Sequence, residues 1–254
     1  MPRQAITIAG FDPSGGAGVL RDLEELRALS QDAAPLAAIT ALTVQDGVSY
    51  LGHETVNPGL LRRQLETLRQ RFDIGFVKIG MLSTRAIVEV VSAFLEALDQ
   101  PLVVLDPVLG ASAGGALLDE AGLEALRAQL LPMVTLITPN EPELRRLLGN
   151  DSAAPPNTGS LAALRTWVGD ARAALGVDVL LTGGHLPPPM LGTDFLASSD
   201  GVTSFVPERV AAHGAHGTGC TFSSALLAAR AAGKPMPAAI AYAKQRVVEW
   251  IESQ

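Results

Sequence analysis

The sequence predicts an α/β fold in which helices cover both faces of a mostly parallel sheet. Short, continuously apolar runs recur along the chain, and segments with apolar residues at helical spacing separate them. Apolar runs of this kind are typical of strands that are buried on both faces of a parallel sheet. A regular alternation of strands and helices is typical of a doubly wound sheet, in which ligands bind beyond the carboxyl ends of the strands.

A local pattern predicts each element. Apolar runs predict strands at Ala5–Ala9, Leu36–Leu42, Gly75–Ile79, Leu102–Leu105, Thr135–Ile137 and Val177–Thr182. Apolar residues at helical spacing predict helices at Leu20–Leu29, Leu60–Phe72, Ile87–Leu98, Glu120–Leu130, Leu161–Leu175, Thr221–Ala232 and Ala238–Ile251. Thr193–Leu196 and Thr203–Val206 flank an Asp200-Gly201 turn, which predicts a small hairpin. The Ala, Pro, Asn and Ser content of Asn150–Gly159 predicts a surface loop.

The composition limits the classes of protein that remain. At 254 residues and without a convincing linker, the chain is expected to form one domain over residues 1–254. A formal charge of −7 argues against a nucleic-acid partner held by a broad basic surface. No signal-peptide core and no run of about 18 apolar residues is present, so we expect no membrane partner. The single cysteine excludes an internal disulfide and favours a reducing compartment, so we expect a soluble, cytoplasmic protein.

The most informative motif is the glycine-rich stretch 213–220, with the sequence HGAHGTGC, which leads into an apolar segment with small residues. Such a junction between a loop and a helix offers free backbone N–H groups and the positive end of a helix dipole, which together bind anions. Cys220 is the only cysteine and stands where this dipole is expected to lower the pKa of its thiol. The motif therefore predicts a site where negative charge is held while a neighbouring group is deprotonated.

A second glycine-rich stretch, Gly10–Gly18, follows the first predicted strand directly. Its spacing fits neither the dinucleotide-binding fingerprint nor the lysine-containing phosphate loop of nucleotide-binding proteins. Its glycines allow the backbone to approach a ligand closely, but a tight turn between strand and helix explains them equally well.

Polar residues follow three further predicted strands. Asp106 and the segment Thr138–Glu143 carry oxygen groups suited to Mg²⁺, whereas Thr182–His185 suggests only close backbone approach to a ligand. These residues also have structural interpretations. Asp106-Pro107 fits a turn. Asn140 and Glu143 also fit the start of a helix, with the spacing of a capping box.

The stretch Gly110–Gly114 matches the Gly-x-Ser-x-Gly nucleophile elbow of hydrolases. Asp194 and either His213 or His216 would complete the order Ser, Asp, His. The elbow needs its serine on a sharp turn from strand to helix, but Pro107 intervenes and the next helical pattern starts near Asp119. A loop of small residues is therefore the better interpretation.

Taken together, these motifs resemble the hydroxymethylpyrimidine/phosphomethylpyrimidine kinases of thiamine biosynthesis, within the ribokinase-like superfamily. The matching segments run in the family's order over nearly the whole chain: Ile8–Gly18, Asp22, Ile39–Gln45, Val77–Leu82, Leu105–Val108, Thr138–Glu143, Gly183–His185 and His216–Cys220. The resemblance implies a three-layer ribokinase-like sandwich and a homodimer. It also implies transfer of the ATP γ-phosphoryl group to 4-amino-5-hydroxymethyl-2-methylpyrimidine, and then to the monophosphate so formed.

The resemblance also implies roles for residues at matching positions. The pyrimidine would contact Gly10, Asp22, Gln45, Met81 and Val108, where the Gln45 amide can both donate to and accept from an aminopyrimidine edge. ATP would be bound by Asn140, Thr182, Gly184 and His216. Mg²⁺ would be held by Asp106 and Glu143, with Asn140 nearby and mostly through water. The transferring phosphoryl group would meet the backbone amides of Gly217, Thr218, Gly219 and Cys220.

Cys220 is implied as the base that accepts the alcohol proton, although a small residue that packs a helix start is the structural alternative. The chain also departs from the family's usual pattern. Ser112 and Thr182 stand where lysines are common, and Phe11 and Arg21 stand where residues are commonly small. A pyridoxal kinase of the same superfamily, or a catalytically weak ligand-binding protein on this fold, therefore stays open beside the pyrimidine kinase.

Overall fold

A computed structural model describes residues 3–29, 34–110, 115–149, 159–207 and 216–254 of the chain. The strands are β1 (Gln4–Phe11), β2 (Leu36–Gln45), β3 (Tyr50–Thr55), β4 (Ile74–Ile79), β5 (Leu102–Leu105), β6 (Leu136–Ile137), β7 (Asp178–Leu181), β8 (Asp194–Ser198) and β9 (Gly201–Phe205). The α-helices are α1 (Gly18–Leu29), α2 (Pro58–Arg71), α3 (Arg85–Glu96), α4 (Glu120–Ala125), α5 (Glu141–Leu147), α6 (Leu161–Leu175), α7 (Thr218–Ala231) and α8 (Met236–Glu252).

Within these residues the strands form one sheet in the order β3-β2-β1-β4-β5-β6-β7-β8-β9. The central strands from β2 through β1 and β4 to β7 run parallel, whereas β3, β8 and β9 pair antiparallel at the two edges. The predicted fold class is therefore confirmed. Because the central strands are parallel, their carboxyl ends meet at one edge of the sheet, where the predicted site residues also stand.

The core lies on both faces of the sheet, because successive side chains of a strand point to opposite faces. In β7, Val179 and Leu181 join the cluster that packs against α2, α3 and α6. Leu180 points the other way and joins the cluster formed with α7 and α8. These residues are fully buried, so the helices form two layers with the sheet between them.

The predicted hairpin is confirmed, with Ser198 paired to Gly201 across the turn. The capping box is also confirmed, because the Asn140 and Glu143 side chains each accept a hydrogen bond of 2.9 Å from the other residue's backbone N–H. The helix predicted over Glu120–Leu130 is regular only to Ala125, after which Leu126–Leu130 forms a π-helical turn.

The edge strand β3 was not predicted, because its residues are polar or exposed as often as apolar and give no buried run. Residues 111–114 of the elbow-like stretch, 150–158 of the predicted loop and 208–215 before α7 lie outside the described residues. In the part of the chain that the structure describes, no helix combines the length and apolar character needed to cross a bilayer.

Candidate active site

A cavity of about 1550 Å³ opens at the carboxyl ends of the parallel strands. It is bordered by the loop after β1, the β2–β3 hairpin, the loops after β5, β6 and β7, and parts of α7 and α8. The predicted site residues that line it are Gly10, Gln45, Met81, Asp106, Val108, Asn140, Glu143, Thr182, Gly184, His216, Gly217, Thr218, Gly219 and Cys220. The fold therefore brings all the predicted residues together except Asp22.

The first turn of α7 forms the anion-binding end of the cavity. Gly217 caps the helix with a φ of +82°, and a side chain there would overlap the carbonyl oxygen of Gly16. The first N–H groups of any α-helix have no partner inside the helix. The amides of Thr218, Gly219 and Cys220 are in this position and line the cavity, so they are available to a negatively charged group.

Two contacts fix the loop that leads into α7. Nε2 of His216 lies 2.8 Å from Oδ2 of Asp12, and Nε1 of Trp250 donates a 2.8 Å hydrogen bond to the His216 carbonyl oxygen. Burial alone would raise the pKa of Asp12, but the hydrogen bonds from His216 and Ser14 outweigh it and lower the pKa. The anion-binding turn is therefore held from both the β1 loop and α8.

Arg21 belongs to the same support. Its guanidinium lies 4.2 Å from the ring centre of Trp250, and its Nε donates a 3.0 Å hydrogen bond to Oγ1 of Thr221. Arg21 is buried and also pairs with Glu25. Of the departures from the family pattern, Arg21 thus packs behind α7, whereas Phe11 and Thr182 line the cavity and Ser112 lies outside the described residues.

Beneath the cavity floor lies a buried cluster of charges that the motifs did not predict. Nζ of Lys78 lies 2.9 Å from the Asp22 carboxylate and 3.9 Å from Oδ2 of Asp106. Asp22 also accepts hydrogen bonds from Thr7 at 2.5 Å and from Ser224 at 2.7 Å. Burial alone would lower the pKa of Lys78, but the neighbouring carboxylates outweigh burial and raise the pKa, which favours the charged form of Lys78.

Asp22 is the one predicted substrate contact that does not line the cavity. Its side chain is fully buried and does not line the cavity. The cause is its bonding, because the carboxylate is held inside the protein by Lys78, Thr7 and Ser224. In this structure Asp22 supports the site from beneath, and its contact with substrate stays a prediction.

The expectation that the helix dipole lowers the pKa of Cys220 is wrong in this structure. Burial raises the pKa of the thiol to about 12, and the charges of Asp22 and Asp106 add to the increase, while Lys78 opposes it. The helix dipole is worth only about 0.3–1 kcal/mol at most termini, which is too little to offset burial. Without ligands, Cys220 is a neutral thiol at physiological pH.

Asp106 and Glu143 supply the oxygen donors that suit Mg²⁺. Burial raises the pKa of Glu143 to about 8, and the negative charge of Asp106 contributes. Burial also raises the pKa of Asp106, although Lys78 opposes the change. Among the described residues no cluster of three acidic, His or Cys side chains could hold a metal. This donor set nevertheless fits Mg²⁺, which keeps several waters and uses one or two carboxylates beside substrate phosphates.

Lys244 is a cationic residue of the cavity that the sequence analysis missed. Its Nζ donates hydrogen bonds of 2.7 Å to Oδ2 of Asp194 and to the carbonyl oxygen of Gly192. Asp194 in turn accepts a 2.9 Å hydrogen bond from the Gly183 N–H. Lys244 thus places a positive charge beside the Thr182–Gly184 loop, where the chain lacks the lysine that the family often has. The sequence feature that could have pointed to Lys244 is that a lysine stands within the apolar pattern of the last predicted helix.

The opposite end of the cavity is apolar. Met81 packs with Ala41 and Leu117, and the partly buried side chains of Tyr50 and Val108 pack against this group. Gln45 of β2 also lines this end and pairs with Tyr50 across the hairpin. The cavity therefore has an end suited to phosphate and an apolar end that carries one amide.

Solved structures that resemble this one are vitamin kinases. A phosphomethylpyrimidine kinase from Clostridium difficile 630 superposes with a TM-score of 0.80 at 29% identity, covering 97% of this chain and 98% of that chain. Pyridoxal kinase from Bacillus subtilis, solved as an ADP complex, gives a TM-score of 0.80 at 29% identity and covers 96% and 90%.

The sequence narrows this class to one family. The family model described as phosphomethylpyrimidine kinase matches residues 12–254. The hydroxymethylpyrimidine/phosphomethylpyrimidine kinase of Salmonella typhimurium is 40% identical over 227 residues, which is 89% of this chain and 82% of the relative. The chain belongs to the phosphomethylpyrimidine kinase family, and the resemblance found from its motifs is confirmed.

We expect Lys78→Met to destabilise the protein strongly. It leaves the buried carboxylates of Asp22 and Asp106 without their cation, which for a broken buried pair costs about 3–5 kcal/mol. Urea unfolding measures the free energy of unfolding. Arg85→Met is the matched control, because it removes a cation from the exposed Arg85–Glu89 pair and should change stability very little. Equal effects of both variants would contradict the role of the buried cluster.

We expect the rate of Cys220 alkylation by iodoacetamide in the ligand-free protein to rise about tenfold per pH unit from about pH 6 to pH 9. A pKa raised to about 12 leaves the thiol protonated throughout this range, so only the small thiolate fraction grows. Mass spectrometry reports the rate cleanly because the chain has one cysteine. A small model thiol is the control and should level off near pH ~8.5. A plateau for Cys220 below that pH would contradict the raised pKa.

Proposed function

We propose that this chain acts in the cytoplasm as an ATP-dependent kinase of thiamine biosynthesis. Its acceptors are 4-amino-5-hydroxymethyl-2-methylpyrimidine and then the monophosphate of that compound. The observation that carries the proposal is the cavity, which joins the free amides of α7 and Cys220 to an apolar end with Gln45 in a chain of this family. A reducing compartment is consistent with the single free cysteine. The whole chain is proposed to work as one kinase domain.

We assign the acceptor to the apolar end of the cavity. Gln45 offers both a donor and an acceptor, which matches the adjacent amino group and ring nitrogen of an aminopyrimidine edge. Met81 and Val108 offer apolar contacts for the ring, and Gly10 lets Met81 pack close, because a Cβ at Gly10 would lie 2.9 Å from the Met81 sulfur. Placed here, the acceptor lies in the same cavity as Cys220 and the first turn of α7.

We assign the phosphates of ATP to the opposite end. The amides of Gly217–Cys220 stabilise the charge of the transferring group, and Lys244 adds a fixed cation near Gly184. Asn140, Thr182 and His216 complete the ATP contacts by family position. Asp106 and Glu143 would hold Mg²⁺ largely through water, and that ion supplies charge neutralisation on the phosphates.

Cys220 is proposed as the base that accepts the proton of the acceptor hydroxyl. The thiol must first become a thiolate, and its raised pKa opposes this in the ligand-free protein. The negative charge of Asp106 contributes to the raised pKa, so neutralising Asp106 would lower the pKa of Cys220. The proposal therefore ties the reactivity of Cys220 to the charge state of the neighbouring carboxylates.

Measuring ADP formation from ATP with four acceptors separates the candidate functions. We expect turnover with hydroxymethylpyrimidine and with its monophosphate, little with pyridoxal and none with ribose. Pyridoxal is the serious alternative because a pyridoxal kinase superposes with an equal TM-score. Turnover with pyridoxal alone would overturn the proposed acceptor, and ligand binding without any turnover would point to a binding protein.

Cys220→Ala should reduce kcat about 10²–10⁴-fold, the range for loss of a general base, while the Kd of ATP stays near that of the wild type. Cys220→Ser is the matched variant. It keeps the size of the side chain but replaces the thiol by a hydroxyl, whose pKa is too high for it to act as the base. Steady-state kinetics and calorimetry measure the two quantities. If Cys220→Ala turned over at nearly the wild-type rate, Cys220 would not be the base.

We also propose that the chain is a homodimer through the face of the β2–β3 hairpin. Leu42, Val44, Val48 and Leu51 on this hairpin are 50–84% exposed, and such a patch is typical of an interface. Light scattering should give twice the 26.4 kDa chain mass. Leu51→Asp should yield the monomer, whereas Leu161→Asp, which places the same charge on exposed α6, should not. A monomeric wild type at micromolar concentration would overturn this proposal.

A further inference from the structure

Tyr50 occupies a place in the cavity that no motif assigned. It lines the cavity and stands directly opposite Gln45 in the β2–β3 ladder. Its ring packs against the group formed by Met81 and its neighbours, on the same apolar wall as Val108. The Tyr50 ring therefore lies on the same cavity wall as the side chains proposed to recognise the acceptor.

A relay of hydrogen bonds fixes this ring from behind. The Tyr50 hydroxyl oxygen lies 2.5 Å from Nδ1 of His53, and Nε2 of His53 lies 2.9 Å from Oγ of Ser83. Oγ of Ser83 also lies 2.5 Å from Oγ1 of Thr55. A neutral imidazole satisfies both of its contacts, since Nδ1 accepts from the phenol while the Nε2–H group donates to Ser83.

Ser83 anchors the relay in the body of the protein. It is 3% exposed and has a φ of +70°, a left-handed conformation that costs energy for any residue with a side chain. Its carbonyl oxygen accepts a 3.1 Å hydrogen bond from the Asp119 N–H. Ser83 follows Met81 by two positions, so the relay ties the hairpin that carries Tyr50 to the strand end that carries Met81.

Gly115 limits the other side of the ring. A Cβ at this position would lie 3.3 Å from Cε1 of Tyr50, and its φ of +104° is one that glycine adopts readily. The Gly115 backbone therefore lies against the Cε1 edge of the ring, while Tyr50 still lines the cavity. A flat aromatic side chain beside an amide suits a planar heteroaromatic ring and gives no matching contact to a puckered sugar.

We propose that Tyr50 determines the acceptor class of this site, selecting planar heteroaromatic rings that carry a hydroxymethyl group, and that His53 and Ser83 are positioning residues that hold its ring. This rests on the proposed function, because it takes the apolar end of the cavity to be the acceptor site. His53 acts on the acceptor site only through its contact with the Tyr50 hydroxyl. A general structural role of His53 would not depend on that hydroxyl.

The test compares Tyr50→Ala, Tyr50→Phe, His53→Ala and the Tyr50→Phe/His53→Ala double variant by steady-state kinetics with hydroxymethylpyrimidine and ATP. Tyr50→Ala should raise the KM of the acceptor about tenfold and leave the KM of ATP within about twofold, in keeping with loss of an aromatic contact. His53→Ala should raise the acceptor KM about threefold alone and should have no further effect when Tyr50 is Phe. Tyr242→Phe, at the chain's other tyrosine, is the control and should change neither constant.

An unchanged acceptor KM in Tyr50→Ala overturns the proposal, as does equal loss for both substrates. A full effect of His53→Ala in the Tyr50→Phe background overturns the positioning role of His53. If the wild type phosphorylates pyridoxal and no pyrimidine, the proposed function fails, and the same variants then decide the Tyr50 proposal on pyridoxal, which is also a planar hydroxymethyl heteroaromatic. A wild type that phosphorylates neither compound overturns both proposals.

Discussion

The active end of the sheet depends on one buried positive charge. Lys78 of β4 meets Asp22 of α1 and lies close to Asp106 after β5, and Asp22 is also bonded to Thr7 of β1 and Ser224 of α7. A buried ion is tolerable only when partners of opposite charge and hydrogen bonds satisfy it. The cluster therefore joins α1 and α7 to β1, β4 and the residue that follows β5. Through Ser224 the cluster also anchors α7, the helix whose first turn carries Cys220.

The same cluster sets the chemistry above it. One cation faces two carboxylates, and the pKa of Asp106 is raised by burial although Lys78 opposes the change; burial and then the charge of Asp106 raise the pKa of Glu143. A ligand-free site of this kind favours a cation beside the phosphates. Burial, with the charges of Asp22 and Asp106, also raises the pKa of the Cys220 thiol in the ligand-free protein. In the proposed function, neutralisation of Asp106 is what would link ligand binding to the reactivity of Cys220.

The sequence contained most of the fold because the central strands are buried on both faces and appear as plain apolar runs. β3 was not predicted because a half-exposed edge strand needs no continuous apolar run in its sequence. The position of Cys220 followed from its motif, but its pKa did not, because burial depends on which side chains pack around the thiol. Asp22 and Lys78 stand 56 positions apart, and only the tertiary structure shows that they pair. Lys244 was not predicted as a site residue for the same reason. The helical pattern of its sequence does not show that its side chain lines the cavity.

The most direct test of the account is a crystal structure with hydroxymethylpyrimidine and a non-hydrolysable ATP analogue bound together. We expect the pyrimidine edge to contact the Gln45 amide and the pyrimidine ring to lie beside Met81. We expect the hydroxymethyl oxygen to lie within hydrogen-bond distance of the Cys220 sulfur. The terminal phosphate should contact the amides of Gly217–Cys220. An acceptor bound with its hydroxymethyl group directed away from Cys220, or a terminal phosphate bound elsewhere in the cavity, would contradict it.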